Sequence, residues 1–302
     1  MRLFHTPILS AIAAAALSAA AAHAEPASLA TVDGPLELPA APRTIVAFEM
    51  AAVDTLAALG HAPAGVPEPL YVADIAAQVP DATPAGSLFE PDFETVAAMQ
   101  PDLVIVGARS LKQKEALSKI APVANMSVGA DAITDGLAHL EAYGALLGEE
   151  EKAAALTSRI ETALAEAKAA VAEKGGKALI LLTNGPKIST YGAGSRFGWL
   201  HGALDWPEAS EGIEAATHGE AVSFEFVADV NPDTLIVIDR GTAVNPDAQS
   251  GRVTLDNPLV HNTKAWKEGR VLFLSAPEIY ISSGGAGSML TTLTEISDGL
   301  AE

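Results

Sequence analysis

Short apolar runs alternate with amphipathic stretches along most of the chain. TIVAFEM (Thr44–Met50) predicts a buried strand, and the following AAVDTLAALG predicts a helix that ends at Gly60. The runs LVIVG, KALILLTNG and RVLFLS predict further short buried strands, and a last helix is predicted after Gly285. Strands that alternate with helices are typical of parallel sheet, so the pattern predicts an α/β protein.

One stretch in the middle of the chain breaks this alternation. EEEKAAALTSRIETALAEAKAAVAEKGG is rich in Ala, Glu and Lys, and its Leu156, Ile160, Leu164 and Ala167 recur on one helical face. It predicts one helix of about 25 residues, roughly 37 Å long. We interpret residues 149–175 as a strut between two α/β lobes, 25–148 and 176–302. The alternative is a surface helix of a single domain.

Two segments far apart in the chain share a pattern without a gap. FETVAAMQPDLVIVGAR begins at Phe93, and FEFVADVNPDTLIVIDR begins at Phe224. Each predicts a helix, a turn at Pro-Asp and a buried strand that ends before an Arg. One copy falls in each half, which favours two related lobes with mainly parallel sheets, and a pair of copies excludes a solenoid or propeller.

The N-terminus has the pattern of an export signal. MRLFHTPILSAIAAAALSAAAAHA has a basic start, an apolar run and a closing Ala-His-Ala, which predicts a signal peptide over residues 1–24 cleaved after Ala24. The alternative, a membrane anchor, would need a longer apolar run. The chain has no Cys, so it lacks disulfides and the lipidated cysteine of a lipoprotein. We therefore expect a soluble periplasmic monomer.

Charge and motif content narrow the class of function. The net charge is −20, which argues against nucleic acid as a partner because phosphate binding needs clustered Lys and Arg. An anionic ligand would have to be held by a few well-placed cations. The chain contains no H-E-x-x-H, G-x-S-x-G or Walker motif, so we expect a binding protein rather than an enzyme.

Three arginines are the candidate anion-binding residues. Arg109 and Arg240 follow the strands of the two repeated segments, and ligands of open α/β sheets lie beyond the carboxyl ends of strands. Arg196, in YGAGSRFGWLHGALDW, is expected to open a helix with Ser195 as its N-cap, where a cation is unfavourable unless an anion also binds. The alternative is that each Arg is a surface cap or pairs with a nearby acid such as Asp239.

His218 and Tyr280 are two further candidates. His218 lies in a polar loop before the second repeated segment, and Tyr280 lies between the strand RVLFLS and a Gly-rich turn. A lone His is usually a surface residue and a lone Tyr is usually a packing residue. Neither residue proves a site by itself.

The segments VSFEFVADVNPDTLIVIDR, SRFGWLHGALDW, THGEAVSFE and YISSGG together resemble the periplasmic binding proteins of iron–siderophore ABC importers, in particular the branch that binds ferric catecholates. The resemblance covers the whole chain after the signal peptide. It implies two α/β lobes joined by one long helix, a class III binding-protein architecture, with the ligand between the lobes. It implies that Arg109, Arg196 and Arg240 hold the catecholate oxygens.

The resemblance also implies how iron would be held. Two bidentate catecholates leave two positions of ferric iron open, and His218 and Tyr280 match the family's His and Tyr that fill them. Ferric iron is a hard cation that accepts oxygen and imidazole donors. The iron would arrive as part of the siderophore complex, and no permanently bound cofactor is expected.

Glu94 and Glu225, one in each repeated segment, match docking residues of the related cobalamin-binding protein. The resemblance implies that they contact a dimeric ABC permease in the inner membrane. The alternative is that both are ordinary solvated glutamates of a helix. Two alternatives for function also stay open: a haem- or cobalamin-binding protein of the same fold, and a periplasmic metal-dependent hydrolase.

Overall fold

The structure is a computed structural model that describes residues 25–214 and 218–301. The predicted signal peptide, residues 1–24, lies outside the described residues. The described chain opens with an antiparallel hairpin formed by β1 (Ala27–Thr31) and β2 (Gly34–Leu38). Leu29 and Leu38 anchor the hairpin because their side chains are buried in the main core.

The first half of the chain then forms a parallel sheet flanked by helices. The strands are β3 (Ile45–Ala47), β4 (Gly65–Val66), β5 (Thr83–Pro84), β6 (Leu103–Val106) and β7 (Val123–Asn125). The helices are α1 (Met50–Leu59), α2 (Ala73–Gln78), α3 (Phe93–Met99), α4 (Lys114–Leu117) and α5 (Ala132–Leu147). The strands pair in the order β5-β4-β3-β6-β7, and all these pairs are parallel. The central strands β3 and β6 are buried along their whole length, as their uninterrupted apolar sequences require.

A long helix connects the two halves. It is α6 (Glu150–Ala170), extended by a π-helical turn at Val171–Gly175. Its 21 residues rise about 32 Å, and its buried face, formed by Ala153, Ile160, Ala163 and Ala167, packs against α5 and the last helix of the chain. The helix therefore lies where the sequence predicts it, while the lobe boundaries at 25–148 and 176–302 stay predictions.

The second half repeats the architecture with a mixed sheet. Its strands are β8 (Ala178–Asn184), β9 (Lys187–Tyr191), β10 (Glu220–Val222), β11 (Thr234–Asp239) and β12 (Val271–Leu274). Its helices are α7 (Trp199–Ala203), α8 (Phe224–Val230), α9 (Arg240–Val244), α10 (Gly251–Thr254), α11 (Pro258–His261), α12 (Lys264–Lys267) and α13 (Ala286–Ala301), with a π-helical turn at Pro277–Ile281. The order is β10-β9-β8-β11-β12, in which β8, β11 and β12 are parallel and the β8–β9 and β9–β10 pairs are antiparallel. The predicted α/β class with two mainly parallel sheets is confirmed.

The two repeated segments adopt the same local structure. α3 leads into β6, and α8 leads into β11, with the residue after each helix in the left-handed region: Gln100 at φ 48° and Asn231 at φ 47°. The aspartate of each Pro-Asp pair accepts hydrogen bonds from backbone N–H groups that directly precede the neighbouring strand of the sheet. Asp102 accepts from the N–H groups of Arg43 and Thr44, and Asp233 accepts from the N–H of Lys177. The repeat is thus a structural unit that ends one helix and aligns two strands.

The two halves also meet at the start of the last helix. The first N–H groups of α13 have no partner within the helix, and two side chains of α1 accept from them. Asp54 accepts from the N–H of Ser288 at 2.8 Å, and Thr55 accepts from that of Ala286 at 3.1 Å. The first helix of one half therefore caps the last helix of the other.

Candidate ligand-binding cleft

The three arginines selected from the sequence converge on Tyr280. Arg109 donates hydrogen bonds to the carbonyl oxygens of Tyr280 (2.8 Å) and Ile281 (3.2 Å). Arg196 donates to the same Tyr280 carbonyl at 2.6 Å, and Nε of Arg240 donates to the Tyr280 hydroxyl at 2.8 Å. The guanidinium carbons lie 5.8 Å, 4.4 Å and 5.5 Å from the centre of the tyrosine ring for Arg109, Arg196 and Arg240. One aromatic residue thus has three cations around it.

Local structure explains why Arg109 and Arg240 reach the same place. Arg109 projects from a tight turn after β6, which buried Ser110 closes by accepting from the N–H of Gly107 at 3.2 Å. Arg240 is the first residue of α9, directly after β11. Asp239 does not pair with it, because the Asp239 carboxylate accepts from the backbone of Thr242 and Gly251 instead. The Arg240 guanidinium is therefore free to bond to Tyr280.

The local structure predicted around Arg196 is wrong. The helix begins at Trp199 rather than at Arg196, and Gly198, not Ser195, occupies its N-cap. Ser195 instead donates to the carbonyl of Gly192 at 2.6 Å, which closes the turn that contains Arg196. The expectation failed because residues 195–198, whose apolar spacing suggests a first helical turn, form a compact turn instead.

The three guanidinium groups form no ion pair with an acid of the described residues. Among residues 25–214 and 218–301, no carboxylate oxygen lies within 4.0 Å of the nitrogens of Arg109, Arg196 or Arg240. Burial, and then the charge of Arg109, lowers the pKa of Arg196 from its ordinary value. Each guanidinium has five N–H donors, and the contacts described above leave most of them free. The geometry therefore provides a cationic site for several anionic oxygens.

A cavity of about 630 Å³ opens beside this cluster. Its wall includes side chains from both halves of the chain: Glu49, Phe89, Arg109, Lys112, Arg196 and His218. The volume is within the range of small-molecule sites. An arginine from each half of the chain thus lines the same cavity.

His218 and Tyr280 occupy different positions relative to this cavity. His218 is exposed and forms part of the wall. Tyr280 is half-buried in the π-helical turn, and neither Tyr280 nor Arg240 forms part of the described wall. Within the described residues, no group of three or more His, Asp or Glu side chains is placed to hold a metal ion. The two residues could thus supply only part of a metal's ligands.

Sequence reasoning missed much of the cavity wall, including Glu49, Phe89 and Lys112, and Glu49 is the most informative of these residues. The run TIVAFEM predicts a strand through Met50, but β3 ends at Ala47 and Glu49 is the N-cap of α1, accepting from the N–H of Ala51 at 3.4 Å. Its side chain is only 6% exposed. The signal in the sequence is one acid at the end of an apolar run. Exposed Phe89 and Lys112 carry no comparable signal, because surface loops commonly contain such residues.

The two glutamates of the repeated segments lie at matching places outside the cleft. Glu94 and Glu225 are each the second residue of a helix, α3 and α8, and both side chains are exposed. The serine N-cap of α8, Ser223, lowers the pKa of Glu225 by a hydrogen bond. Their docking role stays a prediction.

Comparison with known proteins identifies the family. A family described as "Periplasmic binding protein" matches residues 45–278, which include both sheets and the long helix. The chain belongs to this periplasmic binding protein family. None of the helices among the described residues has the length and apolar character needed to cross a membrane.

Three similar proteins illustrate the relationship. The petrobactin-binding protein YclQ of Bacillus subtilis is 34% identical over 268 residues, which are 87% of this chain and 84% of that protein. Its crystal structure superposes with a TM-score of 0.85 over 92% of this chain and 99% of that chain. The ferric-anguibactin-binding protein FatB of Vibrio anguillarum is 30% identical, covering 85% and 82% of the two chains. The catecholate-siderophore binding protein VctP of Vibrio cholerae is 27% identical, with a TM-score of 0.84 over 91% of this chain and 100% of that chain.

Proposed function

We propose that this periplasmic binding protein captures a ferric catecholate-type siderophore in its cleft and delivers it to an ABC permease in the inner membrane. The observation on which the proposal rests is the convergence of Arg109, Arg196 and Arg240 around Tyr280, where no carboxylate of the described residues is close enough to pair with them. Guanidinium groups stay charged and donate to several oxygens at once, which suits a ligand that presents a cluster of anionic oxygens.

The relatives support the same class of ligand. The names of YclQ and FatB state that they bind petrobactin and ferric anguibactin, and VctP is described as a catecholate-siderophore binding protein. A protein with this role captures and releases its ligand without a chemical reaction. We propose that it acts as a monomer in the periplasm after removal of residues 1–24 and that it holds no permanent cofactor.

His218 and Tyr280 would complete the coordination of iron when the siderophore supplies only four donors. The Tyr280 hydroxyl oxygen already accepts a hydrogen bond from Arg240. A phenolate oxygen has further lone pairs, so this bond can persist while the oxygen binds iron. His218 is at the cavity wall, and its imidazole is a suitable ligand for iron. A siderophore with six donors would need only the arginines.

Delivery would use the faces that display Glu94 and Glu225. Each glutamate lies on an exposed first helical turn in its own repeated unit. A permease made of two similar halves could contact one unit with each half. This arrangement supports docking as the reason that both repeated segments contain the glutamate.

Tryptophan fluorescence tests the proposal, since buried Trp199 lies three residues after Arg196. Purified protein is titrated with the ferric complexes of a tetradentate bis-catecholate and a hexadentate tris-catecholate. Haem, cobalamin and the iron-free catecholates are titrated in parallel. We expect saturable quenching by the ferric catecholates alone. A saturable response to haem or cobalamin, with none to either ferric catecholate, contradicts the proposal and supports the alternative ligands.

A further inference from the structure

Glu49 is a buried acid in the wall of a cleft that is otherwise cationic. Its side chain is 6% exposed, and it lies on the same cavity as Arg109 and Arg196. The carboxyl group covers the backbone of Gly107, with Oε2 lying 1.4 Å from the position that a β-carbon of residue 107 would occupy. Because Gly107 lacks a side chain, it leaves room for this carboxyl group beside the turn that projects Arg109.

The surroundings of Glu49 leave its charge poorly compensated. Arg109 and Arg196 are near enough to favour the carboxylate, but burial outweighs them and raises the pKa of Glu49. Tyr143 of α5 is also fully buried, and its hydroxyl has no hydrogen-bond partner among the described residues. Burial, and then the charge of Glu49, raises the pKa of Tyr143. The remaining charged or titratable groups of the cavity wall are Lys112 and His218.

An anionic ligand in the cavity would raise the pKa of Glu49 further. It would engage the guanidinium groups of Arg109 and Arg196, add negative charge beside the carboxylate and displace water from the cavity. Each of these changes disfavours a second negative charge and favours the protonated acid. A protonated carboxyl group can also donate a hydrogen bond, which an ionised one cannot.

We propose that Glu49 takes up a proton when an anionic ligand fills the cleft, so that it acts as a proton-linked specificity residue. The inference rests on the proposed function, because it needs a ligand that occupies the arginines with negative charge. It predicts that binding is coupled to pH through a residue that touches neither the metal nor the permease. A ligand of lower negative charge would lose part of this coupling.

Calorimetry measures the coupling directly. The number of protons taken up on binding is obtained by titrating the ferric bis-catecholate complex in buffers of different ionisation enthalpy, at several pH values from about 5 to 8, above the ordinary pKa of glutamate. Wild type is compared with Glu49→Gln, which keeps the size of the side chain and its acceptor for the Ala51 N–H. Protons contributed by His218, Tyr280 and the ligand are present in both proteins and cancel in the difference. The matched control is Glu90→Gln, which removes an exposed carboxylate next to Phe89.

We expect wild type and Glu90→Gln to take up roughly one proton more than Glu49→Gln at a pH between the free and bound pKa values of Glu49. The affinity of Glu49→Gln relative to wild type should rise with pH, by about tenfold for each unit by which the ligand raises that pKa. Equal proton uptake by all three proteins overturns this inference and leaves the proposed function intact. Failure of wild type to bind the complex overturns the proposed function, and this inference with it.

A second measurement uses wild type alone and does not depend on the folding of a variant. Difference infrared spectra of protein with isotope-labelled glutamate carboxyl groups are recorded with and without the ferric complex. Binding should convert one carboxylate band to a carboxylic acid band. A spectrum in which no carboxyl group becomes protonated contradicts the inference.

Discussion

Nε of Arg240 donates a hydrogen bond to the hydroxyl of Tyr280 at 2.8 Å, which fixes the phenol in the middle of three guanidinium groups. If Tyr280 and His218 bind iron, Tyr280→Phe and His218→Ala should each alter the charge-transfer absorption of a bound ferric bis-catecholate and weaken its binding. The effect should be much smaller for a tris-catecholate, which already supplies six donors. Absorption titrations with both complexes test this. Unchanged spectra and affinities in both variants would show that neither residue coordinates iron.

Arg196 has the shortest distance to Tyr280 of the three guanidinium groups, 4.4 Å to the ring centre. Arg196→Gln removes a charged donor to the ligand, so we expect a loss of about 1.5–3 kcal/mol of binding free energy, roughly 10- to 150-fold in Kd. Arg252→Gln is a matched control, because Arg252 also lies over an aromatic ring, 4.0 Å from the centre of Phe273, but lies outside the cleft. Fluorescence titration of both variants with the ferric complex measures the two changes in Kd. Equal losses in both would assign the effect to overall charge rather than to the cleft.

The parts of the molecule that could be predicted from sequence are those that depend on neighbours in the chain. The helices of the two repeated units end at Gln100 and Asn231 as the Pro-Asp turns predict, and the strand ends bring Arg109 and Arg240 towards one site. The position of Glu49 could not be predicted in this way, because its carboxyl group rests on Gly107 of another strand–turn unit. The turn around Arg196 could not be predicted from apolar spacing, because it is formed by a hydrogen bond from Ser195 to the carbonyl of Gly192.

Glu94 and Glu225 lie on equivalent first helical turns, one in each repeated unit. If they dock onto the permease, the double variant Glu94→Ala, Glu225→Ala should reduce siderophore-dependent iron uptake by cells while the purified protein keeps its ligand affinity. Replacement of Glu115 and Asp229, which are exposed acids on the neighbouring α4 and on α8, provides a control of equal charge. Normal uptake by the Glu94, Glu225 variant would contradict the docking role, and so would an equal loss in the control.

Gly107 leaves the space that the Glu49 carboxyl group fills, so Gly107→Ala should displace a buried side chain. We expect a loss of about 1–3 kcal/mol in the free energy of unfolding, as for other overpacked cores, together with weaker ligand binding. Gly202→Ala in α7 is the control, because a β-carbon there meets no atom within 4 Å and alanine favours helix. Denaturant unfolding of both variants tests this. A Gly107→Ala protein as stable as Gly202→Ala would show that Glu49 moves aside without cost.

Asp54 of the first helix caps the last helix, and the residue is only 2% exposed. Burial raises the pKa of Asp54, although hydrogen bonds from Ser288 and Gly287 act in the opposite direction. The folded protein therefore binds a proton at Asp54 more tightly than the unfolded chain, whose aspartate pKa is about 3.9. As pH rises from about 3.9 to the raised folded pKa of Asp54, this residue therefore lowers the free energy of unfolding. Above the folded pKa its contribution no longer changes with pH.

Asp54→Asn keeps an acceptor for the Ser288 N–H but does not titrate, so the stability of wild type minus that of Asp54→Asn should fall across this pH window. Asp54→Ala removes the cap and should lose about 0.5–2 kcal/mol at every pH. Asp131→Asn is the control, since Asp131 caps α5 through the N–H of Thr134 from an exposed position. Urea unfolding as a function of pH measures all three differences. A wild-type minus Asp54→Asn difference that is flat, or that rises with pH, would mean that this buried acid is stabilised as a carboxylate and that the cap, rather than burial, governs its charge.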